Sequence, residues 1–339
     1  MAKHYLDDSQ PHAFWDNSLP PRVRIEPGDT VVFETLEASA GQITPQSSDS
    51  AVANLDFGPI HPLTGPVYVN GAEPGDALQV EILGLKHKNW GWNAVIPGFG
   101  LLGSEFQTPY LHHYQVGSDC QFRSDIRIPY EPFCGVMGVA PREPGRLTTI
   151  PPRENGGNLD IRHLTPGTTV WFPVLTKGAL FSCGDCHSAQ GDGEVNGTGI
   201  ETPMSVSLRF NLVKNANLRE LRFQTPAGKK LTVTDDAGYY VTTAHGPDLF
   251  ADAQQAIRYM IDYLAETYDM TPEQAYCLCG AAVDLKISEI VDGPNWIVSA
   301  YLPLSLFAAP KAPAAKRAAK KTGRALKAKT LKRKAANKK

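Results

Sequence analysis

A proline-glycine motif occurs three times in this chain, at Pro27-Gly28, Pro74-Gly75 and Pro166-Gly167, each time before an apolar or β-branched run. Proline fixes φ at the second position of a type II turn, and glycine accepts the positive φ of the third position. We therefore expect each copy to begin a strand of a β-sandwich or barrel. The irregular spacing argues against a solenoid repeat and leaves a shared turn solution or a distant internal duplication.

Further short runs predict strands, and two segments nearer the C-terminal end predict helices. The strand-like runs lie at 66–70, 135–140, 204–212, 239–243, 284–292 and 296–302. Apolar residues recur at helical spacing along 248–268 and form one stripe. Thr271, Pro272 and Gln274 then match the N-cap, first-turn and capping-box positions of a helix that ends near Val283.

Three parts are expected: a β-rich catalytic core over 1–245, a helix-containing α/β part over 246–308 that completes the fold, and a disordered basic tail over 309–339. The tail holds 13 Lys and Arg and no Asp or Glu, with too few large apolar residues to offset the entropy of ordering. It could contact nucleic acid or other polyanions non-specifically, or serve only solubility or tethering. The preceding residues carry 20 basic and 35 acidic side chains, which argues against DNA binding as the main activity.

The cellular setting follows from what the sequence lacks. No run of 18 apolar residues occurs, which argues against a transmembrane helix. The first residues lack the apolar stretch of a signal peptide. Six cysteines in 339 residues without an export signal favour reduced thiols, so the expected localisation is cytoplasmic.

Residues 181–195, Phe-Ser-Cys-Gly-Asp-Cys-His-Ser-Ala-Gln-Gly-Asp-Gly-Glu-Val, concentrate the side chains that carry chemistry. Asp185 and His187 are two positions apart, as are Asp192 and Glu194, so in an extended chain each pair points to one side. Carboxylate and imidazole groups suit Zn²⁺, and carboxylates also suit Mn²⁺ or Ca²⁺. The segment therefore indicates a metal or catalytic site, with a polar turn between strands as the alternative.

Three weaker candidates precede this segment in sequence. Asn158 and Asp160 follow two glycines and form either part of a site or a surface Asx-turn. His61 precedes a proline and is either a ligand or a loop residue. Aromatic residues between 90 and 110, among them Trp92, are interleaved with Gly and Pro and predict a long loop that walls a small apolar pocket or covers a sheet edge.

The cysteines offer a rival chemistry. The pairs Cys183/Cys186 and Cys277/Cys279 could form a four-thiolate zinc site or a redox pair. The second pair falls in a predicted helix, where positions i and i+2 face apart, and this disfavours shared chelation. Cys134 is either a nucleophile or a small buried hydrophobic residue.

Five spaced blocks, in order, resemble the acetamidase/formamidase family over about residues 15–307; they lie at 61–76, 133–141, 156–160, 178–194 and 199–201. The resemblance implies hydrolysis of short-chain amides, formamide or acetamide, to the carboxylate and ammonia. It also implies homo-oligomers, and metal ions in some members. The fold class it implies is mainly β, a jelly-roll-like β-sandwich with a smaller α/β part near the C-terminus.

Residues and resemblance together give a hypothesis for the metal. Asp185 and His187 hold a divalent ion, with Asp160 or His61 completing the shell. Zinc is the first choice, and calcium or manganese are the alternatives. Such an ion would supply an acidified water and polarise the amide carbonyl.

The remaining roles are assigned to neighbouring polar groups. Glu194 and Asp192 are the predicted catalytic residues; Glu194 takes the proton of the attacking water and later gives it to the leaving ammonia. Asn158, Glu201 and Trp92 are predicted to contact the substrate. Two alternatives stand beside this hypothesis: an amidase with a cysteine nucleophile, and a non-catalytic jelly roll that binds a metal or small ligand.

Overall fold

The computed structural model describes residues 1–227, 237–291 and 293–307; the predicted tail over 309–339 lies outside them. In chain order the strands are β1 (Lys3–Leu6), β2 (Phe14–Trp15), β3 (Val23–Ile25), β4 (Thr30–Glu34), β5 (Leu63–Val69), β6 (Ala77–His87), β7 (Trp90–Val95), β8 (Tyr110–Val116), β9 (Asp119–Arg123), β10 (Ile126–Pro129), β11 (Phe133–Gly138), β12 (Leu147–Thr148), β13 (Gly156–Asn158), β14 (Thr169–Pro173), β15 (Phe181–His187), β16 (Met204–Val213), β17 (Arg222–Gln224), β18 (Tyr239–Gly246), β19 (Asp284–Glu289) and β20 (Trp296–Pro303). The helices are α1 (Asp49–Ala53), α2 (Leu249–Tyr268) and α3 (Pro272–Ala282).

The three proline-glycine motifs form the predicted turns. Gly28, Gly75 and Gly167 have φ values of 97°, 96° and 92°, and the residue after each glycine donates its N–H to the carbonyl three positions back, at 3.0–3.1 Å. The strands that follow, β4, β6 and β14, all belong to one six-stranded sheet of order β1-β4-β16-β6-β14-β17. The prediction that each motif begins a strand is confirmed.

A second sheet, of order β13-β11-β15-β5-β3, packs against the first to form a sandwich. Along β16 the buried side chains alternate with partly exposed ones, as expected for a sheet with one face on a core. In contrast, every residue of β11 and β15 is buried, so both faces of these two strands are covered. The face turned away from the sandwich core is available for the site described below.

The C-terminal part contains α2, α3 and a sheet of order β18-β20-β19. Both predicted helices are confirmed: the Asp248 side chain accepts from the N–H groups of Phe250 and Ala251, and Thr271 and Gln274 form the capping box. Strand β18 pairs with β20 along its whole length, so the predicted domain boundary at 245 falls inside a strand of this part. In the described ranges, no helix has the length and apolar character needed to cross a membrane.

The segment 90–110 differs from the predicted long loop. Trp90–Val95 is strand β7, which pairs with β8 in a four-stranded sheet of order β10-β9-β8-β7. Position 91 lies within this strand and must be glycine, because a Cβ there would meet the Thr202 Oγ1 at 2.6 Å and the Glu201 carbonyl oxygen at 2.9 Å. Glycine in this strand therefore marks a close backbone approach and not a turn.

Candidate active site

A cavity of about 60 Å³ opens between β7, the C-terminal half of β15 and the chain around residues 38–61. One side is apolar and the other carries polar side chains. The apolar side is formed by Ala38, Leu55, Phe57, Ile60, Trp92, Ile96, Phe99 and Ile150. The polar side includes His61, Asn158, Asp160, Asp185, Glu194, Thr198 and Glu201.

Seven of the nine candidate residues named from the sequence therefore line one cavity. His187 lies directly behind them: its Nε2 atom is 3.1 Å from Glu201 Oε2 and 3.6 Å from Asp185 Oδ1. Asp192 is not among the lining residues; its N–H donates to the Asp284 carboxylate at 3.0 Å on the other side of the loop. The predicted catalytic role of Asp192 stays a prediction.

Strand β15 delivers Asp185 and His187 to the cavity side. Asp185 has a φ of 50°, and this local turn places Cys183 and Cys186, three positions apart, both in the sandwich core. Asp185 faces the opposite way, where its Oδ2 lies 3.8 Å from His61 Nε2. A single strand thus supplies both the core and the site.

Residues with positive φ values are concentrated at this site. Eleven described non-glycine residues have positive φ, and four of them are titratable residues of the cavity: His61, Asp160, Asp185 and Glu194. Such conformations disfavour side chains with a Cβ and cluster at functional sites. The sequence gives no direct signal of them, because none of the four is glycine.

Gly135, on β11, was not singled out from the sequence as a site residue. A Cβ at this position would lie 2.6 Å from Asp160 Oδ1 and 2.8 Å from Asp185 Oδ2. The missing side chain is therefore what lets two carboxylates approach each other across β11. Its place inside the 133–141 block was the available signal.

We predict that Gly135→Ala lowers kcat for the reaction of this site by about 100-fold while the protein still folds. The methyl group would push the two carboxylates apart, and a displacement of about 1 Å can cost that much. Steady-state kinetics and the melting temperature measure the two effects. Gly84→Ala is the matched control for a glycine substitution, since Gly84 is not among the glycines with positive φ and no atom lies within 4 Å of a Cβ there; equal losses of activity in both variants would contradict the assignment.

Gln190, also missed in the sequence, fixes the orientation of His187. Its Nε2 donates to the Asp160 carbonyl at 2.9 Å, so its Oε1 is the atom that faces His187 Nδ1, at 2.8 Å. Nδ1 must then carry the proton and donate it, which leaves Nε2 directed at the carboxylates. This is how outer residues orient a histidine that binds a ligand through its other nitrogen.

A third missed residue, Glu37, holds the apolar side in place. Its buried carboxylate accepts from the Trp92 Nε1 at 2.8 Å, from Ser39 N and Oγ at 2.8 Å each, and from the Gly41 N–H. Trp92 in turn exchanges two backbone hydrogen bonds with Glu201, at 3.0 and 2.7 Å. The apolar and acidic sides of the cavity are thus tied together through Trp92.

The buried titratable groups of the site have pKa values far from their ordinary ones. Burial raises the pKa of both Glu194 and Glu201 to about 8 and raises the pKa of Asp160 well above its ordinary value. Burial alone disfavours charge on His187, but the carboxylates of Glu201 and Asp185 raise its pKa well above the usual range. Groups whose pKa values depart in this way, gathered in one cleft, indicate a functional site.

Several polar atoms at the site have no hydrogen-bond partner among the described residues, although they are buried. They are His61 Nδ1, Asn158 Oδ1, Asp160 Oδ1, Asp185 Oδ1, His187 Nε2 and Glu201 Oε2; the last two lie 3.1 Å apart but do not have the geometry of a hydrogen bond. Unpaired buried polar atoms are costly and are rare in folded proteins. Their concentration around one cavity points to a bound species that satisfies them. The ligand atoms of Asp160, Asp185 and His187 lie within 4.8 Å of one another, a spacing a single cation can bridge.

The cysteines do not contribute to this cavity. Cys134 Sγ lies 3.5 Å from Cys186 Sγ inside the sandwich core, and burial raises the pKa of Cys186 well above that of a free thiol. Such thiols are poor nucleophiles. Cys277 and Cys279 lie in a different core cluster from Cys183 and Cys186, which separates the four thiols that a zinc site would need.

Comparison with known proteins identifies the family of this chain. The sequence model of the Acetamidase/Formamidase family matches residues 2–146 and 143–309. A formamidase from Methylophilus methylotrophus is 28% identical over 90% of this chain and 91% of its own, and an acetamidase from Mycolicibacterium smegmatis is 28% identical over 83% and 88%.

Solved structures give the same assignment. A gamma lactamase from Delftia acidovorans superposes with a TM-score of 0.84 at 26% identity, covering 92% of this chain and 95% of that one. An acetamidase from Bacillus halodurans superposes with a TM-score of 0.63 at 34% identity, covering 89% and 97%. The resemblance expected from the five sequence blocks and the mainly β fold class are both confirmed. The chain belongs to the acetamidase/formamidase family.

Proposed function

We propose that this protein hydrolyses short-chain aliphatic amides to the carboxylic acid and ammonia. The observation that carries the proposal is a small cavity with an apolar side and a facing group of unpaired carboxylate and imidazole atoms. A volume of about 60 Å³ holds roughly four water-sized molecules. Acetamide, with four heavy atoms, is of that size.

The polar side fits a divalent cation. Asp160, Asp185 and His187 offer two carboxylates and one imidazole with mutually close, unpaired ligand atoms, and His61 lies against Asp185. This donor set suits Zn²⁺ first, with Mn²⁺ or Ca²⁺ as alternatives. When bound, the ion would polarise the amide carbonyl and lower the pKa of water at the site.

The protein's own side chains then perform the proton transfers. Glu194, whose pKa burial raises to about 8, is matched to proton exchange near neutral pH. It accepts one proton as the water oxygen bonds to the carbonyl carbon. It returns that proton to the amide nitrogen as the carbon–nitrogen bond breaks, which releases ammonia.

The substrate is held between the two sides of the cavity. Asn158 and Glu201 direct polar atoms toward it, and Trp92 presents its ring from the apolar side. In this arrangement the acyl group packs on the apolar side while the amide group meets the carboxylates. The orientation follows from burying the apolar part of the substrate and pairing its polar part.

A panel of amides tests the proposal. We expect ammonia release from formamide, acetamide and propionamide, lost after exhaustive chelation and restored by Zn²⁺. Enzyme-coupled detection of ammonia measures it. No release from any amide by the metal-loaded protein would overturn the function, and unchanged release after removal of all metal would overturn the metal assignment alone.

A cyclic amide is the second candidate substrate. The similarity to the gamma lactamase, with a TM-score of 0.84 against 0.62–0.64 for three acetamidase structures, favours it. Two aromatic rings with partly exposed faces, Phe57 and Phe99, lie 6.2 Å apart at the cavity and would contact a substrate larger than acetamide. Adding 2-pyrrolidinone to the panel decides between the two classes by their kcat/KM values.

Three broader assignments remain proposals. We propose a homo-oligomer in the cytoplasm: all six cysteines are free thiols, and Phe250, Ile287 and Val291 expose large apolar side chains on one part of the chain. Light scattering tests the oligomer. We also propose that the basic residues at 309–339 contact polyanions non-specifically, which salt-dependent retention on heparin, with and without these residues, would test.

A further inference from the structure

A buried ion cluster lies behind the cavity, formed by Glu131, Arg162 and Asp284. Arg162 donates to both carboxylates, to Asp284 through Nη1 and to Glu131 through Nη2, the latter at 3.1 Å. The side chains of the three residues are 10%, 15% and 3% exposed for Arg162, Glu131 and Asp284. Charges this well buried are costly unless they are paired, so their contacts constrain whatever they touch.

Each member of the cluster holds a different segment of the site. Arg162 is two residues beyond Asp160. Glu131 donates its N–H to the carbonyl of Ser188, at 2.9 Å, and Ser188 directly follows His187. The cluster therefore adds charged links between segments that also share the hydrogen bond from Gln190 to the Asp160 carbonyl.

The third segment carries Glu194 and is held by Asp284. The Asp284 carboxylate accepts from the Asp192 N–H at 3.0 Å, and the Leu285 N–H donates to the Asp192 carbonyl at 3.0 Å. One position earlier, the Gly191 N–H donates to the Gly280 carbonyl at 2.9 Å. The start of β19 and the end of α3 thus hold, through hydrogen bonds, the loop that carries Glu194.

The guanidinium group is what joins the three segments. Its planar fork donates to two separate carboxylates at once, whereas a lysine ammonium is a single point charge on a flexible stem. Arg162 does not line the cavity and therefore does not touch substrate. Its influence on the reaction must pass through Asp160, His187 and Glu194.

We infer that Arg162 is a positioning residue: its ion pairs with Glu131 and Asp284 fix the spacing of Asp160, His187 and Glu194 across the cavity. The inference rests on the proposed amide hydrolysis for its kinetic consequence. It gives the C-terminal part a defined task, because Asp284 brings β19 to the site. The catalytic arrangement is then completed by a part of the chain that contributes no cavity-lining residue.

Arg162→Lys is the decisive variant because it keeps the charge and loses the fork. We expect kcat for acetamide to fall about 10–100-fold with KM changed less than threefold, since misplacement of reacting groups by about 1 Å costs that much. Arg162→Ala should regain part of its kcat in millimolar guanidinium. Arg209→Lys is the matched control: Arg209 pairs with Glu81 at 3.0 Å on the first sheet and should keep wild-type kinetics.

A crystal structure of Arg162→Lys provides a readout that does not depend on activity. We expect the distances among Asp160, His187 and Glu194 to differ from wild type by more than the coordinate error. Superposition of the three residues, or an unchanged kcat beside a lowered melting temperature, would overturn the positioning role. If the wild-type protein releases ammonia from no amide, the proposed function fails, and the structural comparison alone decides on Arg162.

Discussion

The double variant Asp185→Asn/His187→Asn should lose at least about 100-fold in ammonia release and the affinity for the divalent metal proposed to bind there, while it remains folded. Asp185 and His187 supply the charged carboxylate and the oriented imidazole at the centre of the polar side. Changing even an outer partner of a metal ligand typically costs about 10–100-fold in affinity or activity. Metal content by mass spectrometry and turnover of acetamide measure the two losses.

A control for the double variant is Asp252→Asn. Asp252 is also buried and also has an oxygen without a partner among the described residues, but it lies on α2 outside the cavity. This variant should keep both metal and activity. Full activity of the double variant, or equal losses in the control, would show that the cavity does not work through these two residues.

Glu194→Gln should lower kcat about 10²–10⁴-fold and leave KM within about threefold, the usual loss when a general acid–base group is removed. Glutamine keeps the shape of the side chain but can neither take nor return a proton. Burial raises the pKa of Glu194 to about 8, so its negative charge is unfavourable in the folded protein. The glutamine variant should therefore melt no lower than wild type.

A lowered kcat together with an undiminished melting temperature would show that Glu194 acts in catalysis and not in packing. Glu34→Gln is the matched control, because Glu34 is also partly buried but pairs with Lys88 on the far side of the first sheet. It should leave kcat unchanged. A kcat of Glu194→Gln within threefold of wild type would assign the proton transfers to another group, with Glu201 the first to examine, since burial raises its pKa to about 8 as well.

Local signals were enough to predict much of the fold. Proline-glycine turns give three strands of one sheet because the turn chemistry needs only four adjacent residues. The capping box at Thr271 and Gln274 and the apolar stripe of α2 are equally local. The prediction of a loop over 90–95 was wrong because its cause is not local. Gly91 is required by contact with residues 201 and 202, more than a hundred positions away.

The site could be predicted as a set of residues but not as an arrangement. The spacing of two positions predicted that Asp185 and His187 point to the same side, and the family blocks added Asp160 and Glu201 to the predicted site. Gln190, Glu37 and Arg162 act through hydrogen bonds and ion pairs to distant segments. Nothing in their local sequence distinguishes them from ordinary surface residues.

The two sides of the cavity come from different stretches of the chain. The apolar side belongs mainly to 38–60 and 92–99, whereas the acidic side belongs mainly to 158–201. Substitutions in 38–60 can therefore alter which acyl groups fit without moving Glu194, whereas the stretch 92–99 is tied to Glu201 through the backbone of Trp92. A fold built in this way can change the acyl groups that it accepts while the residues of the acidic side keep their positions.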